Sequence, residues 1–297
     1  MSEELRPINL KTIPDAIELL NESSKGTSLE YNLDFFSFLS LAAHWRFSYE
    51  HSLISYVDGK PAAVMLNGVD PEAHDAYTFY WGALPGFRNP KISLNLVEAT
   101  CCQLRKAGYL RIYADSAAER PVRRYRFVHY YPLHMLAYMD AANPDPPPAD
   151  PRFEVRKVDL GLLASSAPAP DETVHWSQRL TYLRNAPRAL EFLGAYFDNT
   201  LRAYAVVATQ PSGTNLVDLR SATQDLAAGH ELLRSLSVSN YPLPFTATSV
   251  AEPGYAFSVL ANSGFVVTRR VHALVRDLCA TCGARPGEEG RQPASAI

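Results

Sequence analysis

Between Tyr77 and Asp115 the chain passes from strand to helix and back to strand, and this succession restricts the fold more than any other stretch. Tyr77, Thr78, Phe79, Tyr80 and Trp81 are aromatic or β-branched, as suits a pleated, half-buried surface. Gly82, Pro85 and Gly86 break that run, and Asn89-Pro90 supplies an N-cap residue followed by a proline for the first helical position. Ile92, Leu96, Thr100, Cys101 and Leu104 then recur at helical spacing, and Gly108 stands where a left-handed C-cap belongs. Leu110, Ile112 and Ala114 alternate as in a second strand. A loop entering a helix N-terminus offers unpaired amides and the positive end of the helix dipole, so this stretch predicts an anion site suited to phosphate.

Composition sets the frame around it. With 297 residues, 47% of them hydrophobic, the chain can bury a substantial core and is expected to form two domains. A net charge of -3 gives no electrostatic footprint for nucleic acid or an anionic membrane. No run is apolar and long enough to span a bilayer, and the N-terminal residues do not read as a signal peptide. Four cysteines in a chain of this length are no disulfide framework, so a soluble cytoplasmic protein is expected.

In chain order, Leu5 to Leu10 reads as a first strand, and Thr12 as the cap of a helix carrying Ile13, Ala16, Ile17, Leu19 and Leu20. The aromatic segment from Leu29 to Trp45 reads as a second helical stretch. Leu53 to Val57 and Pro61 to Leu66, apolar runs around Asp58-Gly59, form the best hairpin signal in the chain.

Pro85, Arg88, Ile92 and Leu96 resemble, in register, the pyrophosphate loop of GNAT acetyltransferases, Pro-x-x-Arg-x-x-Gly-Ile-Gly-x-x-Leu. Lys91 and Ser93 stand where that family has glycines. The Asp58-Gly59 hairpin resembles the family's second and third strands. Val122, Arg123 and Tyr125 match its last-helix pattern, from which Pro121, His129 and Tyr130 depart. The resemblance implies a mixed, mostly antiparallel sheet flanked by helices, with acetyl-CoA as co-substrate. It places Arg88, Asn89, Lys91, Ile92 and Ser93 at the pyrophosphate, and Ala83 and Leu84 where amides stabilise the developing thioester oxyanion. It makes Tyr125 the candidate general acid, because a phenol ordinarily stays protonated to about pH 10. The base is left open among Asp70, Glu72, His74, Asp75, Glu119 and His129.

Residues 141–152, rich in proline, read as a linker, and the chain beyond them repeats the first half. Phe153 to Leu160 echoes the opening strand, Thr173 to Asn199 reads as helix-rich, and Leu201 to Thr209 and Asn215 to Ser221 read as strands. Leu226 to Leu233 matches the helix start without the arginine. Phe245 to Val250 reads as the fifth strand, and Tyr255 to Phe265 resembles the family's last helix, with Leu260 in the tyrosine position. The resemblance thus divides the chain into two tandem GNAT-like α/β (α+β) domains, residues 1–140 and 153–278, the first expected to bind acetyl-CoA and the second degenerate. Residues 279–297 read as a disordered tail.

The implied reaction is transfer of an acetyl group to the amine of a small molecule or a peptide, by a monomer or a homodimer. The alternative is a catalytically silent tandem module that binds or regulates. The bland readings of the same residues are a surface arginine for Arg88, an exposed helix lysine for Lys91, and a core or wall aromatic for Tyr125. Cys279 and Cys282 have half the spacing of a zinc knuckle without a second pair, and Cys101 and Cys102 diverge on a helix, so no metal site is expected.

Overall fold

The computed structural model describes residues 2–27, 30–44, 46–116, 124–129, 135–148, 150–166, 175–179, 183–184, 190–210, 213–239 and 241–279. Glu119, Pro121 to Arg123, Tyr130 and the chain from 280 on, with Cys282, lie outside them.

The first half runs β1 (Glu3–Pro7), α1 (Ile13–Ser24), α2 (Phe35–His44), β2 (Leu53–Val57), β3 (Lys60–Asp70), β4 (Asp75–Ala83), α3 (Pro90–Lys106) and β5 (Arg111–Ser116). Short β6 (Val128–His129) and β7 (Met135–Ala141) come next. The second half runs β8 (Glu154–Lys157), α4 (Leu160–Ser166), β9 (Leu190–Phe197), β10 (Thr200–Gln210), β11 (Gly213–Arg220), α5 (Leu226–Val238), β12 (Phe245–Glu252), α6 (Tyr255–Ala261) and β13 (Val266–Asp277).

All the strands belong to one sheet, in the order β1-β2-β3-β4-β5-β13-β7-β12-β11-β10-β9-β8, with β6 beside β13. The order is palindromic if β13 and β7 are taken as equivalents. Each half therefore lends its last strand to the other: β13 pairs with β5 of the first half, and β7 pairs with β12 of the second. The two strands also pair with each other at the centre.

The sheet buries both faces. Ile92, Leu96, Val97, Cys101 and Leu104 of α3 pack on Ala63, Met65, Ala76 and Ile112. Leu232, Leu233 and Leu236 of α5 do the same against Ala203, Ala205 and Val207. On the opposite face α1 and α2 cover Ile54, Val64 and Leu66, while Leu163 of α4 joins Tyr204 and Val206. No helix among the described residues is long and apolar enough to cross a membrane.

Several local readings hold. Asp58 (φ 49°) and Gly59 (φ 79°) make the turn between β2 and β3, both left-handed as a two-residue hairpin loop of this kind demands. Asn89 caps α3 with its side chain, Pro90 opens the helix, and Gly108 (φ 89°) closes it. Others do not hold. Residues 124–126 form a turn and Val128–His129 a strand, where a last helix was expected, because β13 draws that backbone into its ladder and Arg126 is left-handed (φ 61°). Leu190–Phe197, expected to be helical, is β9: Asp198 and Asn199, both left-handed, turn the chain into a hairpin with β10.

Candidate functional site

The site is created by one extra residue. Leu66 pairs with Tyr80 and Asn67 with Thr78, so Phe79 is a bulge in β4. A bulge bends its strand and sharpens its twist. The parallel pairing of β4 with β5 accordingly runs from Asp75/Arg111 to Thr78/Ala114 and stops there. Beyond that point β4 stays with β3 and leaves β5, which opens a wedge in the sheet. The edge of the wedge is read from the ladder. Leu84 donates its N–H to Ala62 at 3.0 Å, so by antiparallel alternation Gly82 and Leu84 face β3 while Trp81 and Ala83 turn their amides and carbonyls to the open side. Ala83, singled out in the sequence, thus presents its amide to the open side. Leu84, also singled out, does not, because its amide is already bonded to β3, whereas the amide of Trp81 faces the same side as that of Ala83.

The wedge leads to the N-terminus of α3. Pro85–Phe87 is a single 3-10 turn, after which Arg88, Asn89 and Lys91 are exposed, Ser93 is half-buried and Ile92 is buried in the core beneath the helix. The phenol of Tyr80 is raised by burial, while the hydroxyl of Ser23 and the charge of Arg88 oppose that rise. The amides of this loop are largely committed. Phe87 bonds Leu84, Asn89 bonds Phe87, and Lys91 is held at 2.9 Å by the Asn89 side chain, while Pro90 has no N–H. A phosphate at this terminus would displace the Asn89 carboxamide and would draw on Arg88, Lys91 and Ser93. The strand edge fits a pantetheine arm; the loop fits a pyrophosphate once that cap is released.

Tyr125 reaches the wedge from the turn after β5. Its ring meets Trp81 edge-on at 4.5 Å, and its carbonyl accepts a hydrogen bond from Arg276 of β13, which also holds Glu98 of α3. The tyrosine is 8% exposed and packs against the residues under α3.

The carboxylates near β4 divide by place. Asp70 and Asp75 lie at the end of the hairpin away from the wedge. Asp70 pairs with Arg46, and Asp75 is buried between Arg111 and Arg179. His129 lies in β6 against β13. Asp115, which comes directly after the last β4–β5 pair, was not singled out by sequence. It receives Nε2 of His175 at 3.2 Å from each carboxylate oxygen. The two are sixty residues apart, so no local spacing announced the pair.

The second half repeats the device and then closes it. Val206 pairs with Asp218 and Val207 with Leu216, which makes Val217 the bulge in β11; parallel pairing with β12 ends at Leu216/Ala247. Into that gap comes Gln178, whose side-chain amide donates to Val217 O at 3.2 Å and to Ser249 O at 3.3 Å. Arg220 binds the Gln178 carbonyl and pairs with Asp218, whose carboxyl is raised by burial.

A scan against protein-family models finds no match, and neither does a search of curated proteins. Solved structures do match. A tandem GNAT protein from the clavulanic acid biosynthesis pathway superposes at a TM-score of 0.63, with 13% identity over 94% of this chain and 100% of that one. A GCN5-related N-acetyltransferase from Sphaerobacter thermophilus gives 0.63, with 12% identity over 93% and 96%. One from Anabaena variabilis gives 0.60, with 10% identity over 93% and 73%. The chain has the tandem GNAT fold. Within that fold, among the described residues, the first wedge leaves β4's edge unpaired beyond Thr78, and the second is bridged by a side chain of the same half.

Proposed function

We propose that the protein is an N-acyltransferase that moves an acetyl group from acetyl-CoA to an amine of a small molecule or a peptide, in the first half. The observation that carries this reading is the wedge: a strand edge at Trp81 and Ala83, unpaired among the described residues, that leads to a helix N-terminus flanked by Arg88. The corresponding gap in the second half is taken by Gln178.

Bound acetyl-CoA would supply an activated thioester. The backbone amides of Trp81 and Ala83 would receive the pantetheine carbonyl and the oxygen that gains charge as the amine adds. Arg88, Lys91 and Ser93 would meet the phosphates, Arg88 with a fork of donors suited to two oxygens at once. The Tyr125 hydroxyl would protonate the departing thiolate.

A second reading, a silent binding module, is favoured by the Asn89 cap on Lys91 and by Pro90, which leave the loop few amides. Calorimetric titration separates the two. Acetyl-CoA is expected to bind at one site per chain, and Arg88→Ala to weaken it about ten- to a hundredfold, as for the loss of a charge-assisted contact worth ~1.5–3 kcal/mol. Absence of binding at millimolar ligand would leave the silent module. An unchanged dissociation constant in Arg88→Ala would remove Arg88 from the site.

A further inference from the structure

The acyltransferase reading leaves one proton unassigned, the one the attacking nitrogen sheds. Asp115 is the first residue of β5 past its last pair with β4, so it stands level with the bulge at Phe79, where the strands part. Its side chain is 21% exposed, whereas His175, which comes from the second half, is 4% exposed. One tautomer of the ring suits its neighbours. The backbone N–H of Ser177 points at Nδ1 at 3.4 Å, and only a lone pair can receive it, so the proton of the neutral ring sits on Nε2 and is donated to Asp115. The Ser177 hydroxyl, 2.6 Å from Nδ1, donates the same way. A carboxylate has about four lone-pair sites, and one shared N–H leaves room for a further donor. Tyr138 of β7 lies close by: burial first, and then the charge of Asp115, push its phenol up to about 12, and Arg269 of β13 stacks 4.5 Å from its ring.

We propose that Asp115 accepts the amine proton during acyl transfer and that His175 is the positioning residue that aims it, so the second half completes the first half's site. The inference rests on the acyltransferase reading. The nitrogen lone pair bonds to the thioester carbon while the carbonyl π pair moves onto oxygen. The nitrogen, now cationic, is far more acidic than a free ammonium and gives its proton to an Asp115 oxygen. The pair on oxygen returns, the C–S bond breaks with both electrons on sulfur, and the Tyr125 hydroxyl protonates the thiolate. Asp115 then releases its proton to water, and Tyr125 regains one from it.

The test compares the wild type with Asp115→Asn, His175→Ala and His175→Gln, each checked by thermal melting. Acetyl-CoA binding is measured by calorimetry. CoA thiol release is monitored with amino acids, polyamines and a lysine peptide as acceptors, and with water alone. Binding is expected to stay within about twofold throughout. Asp115→Asn should lose about 10²–10⁴-fold in kcat, the usual worth of a positioned base. His175→Ala should lose about tenfold in kcat with KM unchanged, and His175→Gln, which keeps a side-chain N–H, should recover most of it. Wild-type turnover in Asp115→Asn overturns the proposal. Equal losses in the two His175 variants overturn the positioning role. Bound acetyl-CoA without thiol release by the wild type, to any amine or to water, also overturns it. If the wild type fails to bind acetyl-CoA at all, the acyltransferase reading itself falls and the inference goes with it.

Discussion

Tyr125 is a residue with two occupations. Its ring belongs to the packing under α3 and against Trp81, and its hydroxyl is the group we propose as the donor to sulfur. Tyr125→Phe separates them, because the ring and its edge-on contact remain. Stability is expected to change by less than about 1 kcal/mol in a thermal or denaturant melt, and acetyl-CoA affinity to hold. Turnover is expected to fall by about a hundredfold or more. Full activity in this variant would return Tyr125 to the core. Much of this scale was legible in the sequence. Asn89, Pro90 and Gly108 announced both ends of α3 because capping chemistry is local. The same cap sets a competition, since the Asn89 side chain takes the Lys91 amide that a phosphate would also need.

Elements divide in the same way. β2 and β3 were readable from Asp58-Gly59, whose turn chemistry lies within four residues. The bulges at Phe79 and Val217 were not, because a bulge is a property of two strands in register and Phe79 looks like any other strand aromatic. β9 reads as helix in the sequence because Leu190 and Leu193 share a helical spacing that a strand buried on both faces also permits. The segment around Gln178 carries the next expectation. In Gln178→Ala the carbonyls of Val217 and Ser249 lose a buried donor, at about 1–3 kcal/mol for a group left unsatisfied. A chain of this size should then melt roughly 2–12 °C lower. An unchanged melting temperature would show that Gln178 does not bridge the two strands.

At the scale of the whole molecule, the repeat was visible in the sequence as two similar successions of elements, but the exchange of last strands was not. Nothing in the composition of β13 distinguishes pairing with β5 from pairing with β12; the choice is made by the central β7–β13 ladder. Removing residues 266–297 tests its weight. The truncated chain leaves β5 and β7 each with a bare edge, so size-exclusion chromatography and circular dichroism should show aggregation or loss of cooperative unfolding in both halves. A first half that still melted cooperatively would mean that the borrowed strand is dispensable.

The borrowed strand also sets a timetable. A nascent chain usually completes its N-terminal unit while the rest is still being made. Here β5 ends at Ser116, and the partner that covers it begins only at Val266. Until β13 is made the first half therefore waits with an open flank, and the wedge that would hold a co-substrate has one wall unsupported. Both halves are then finished together, when the shared central strands meet.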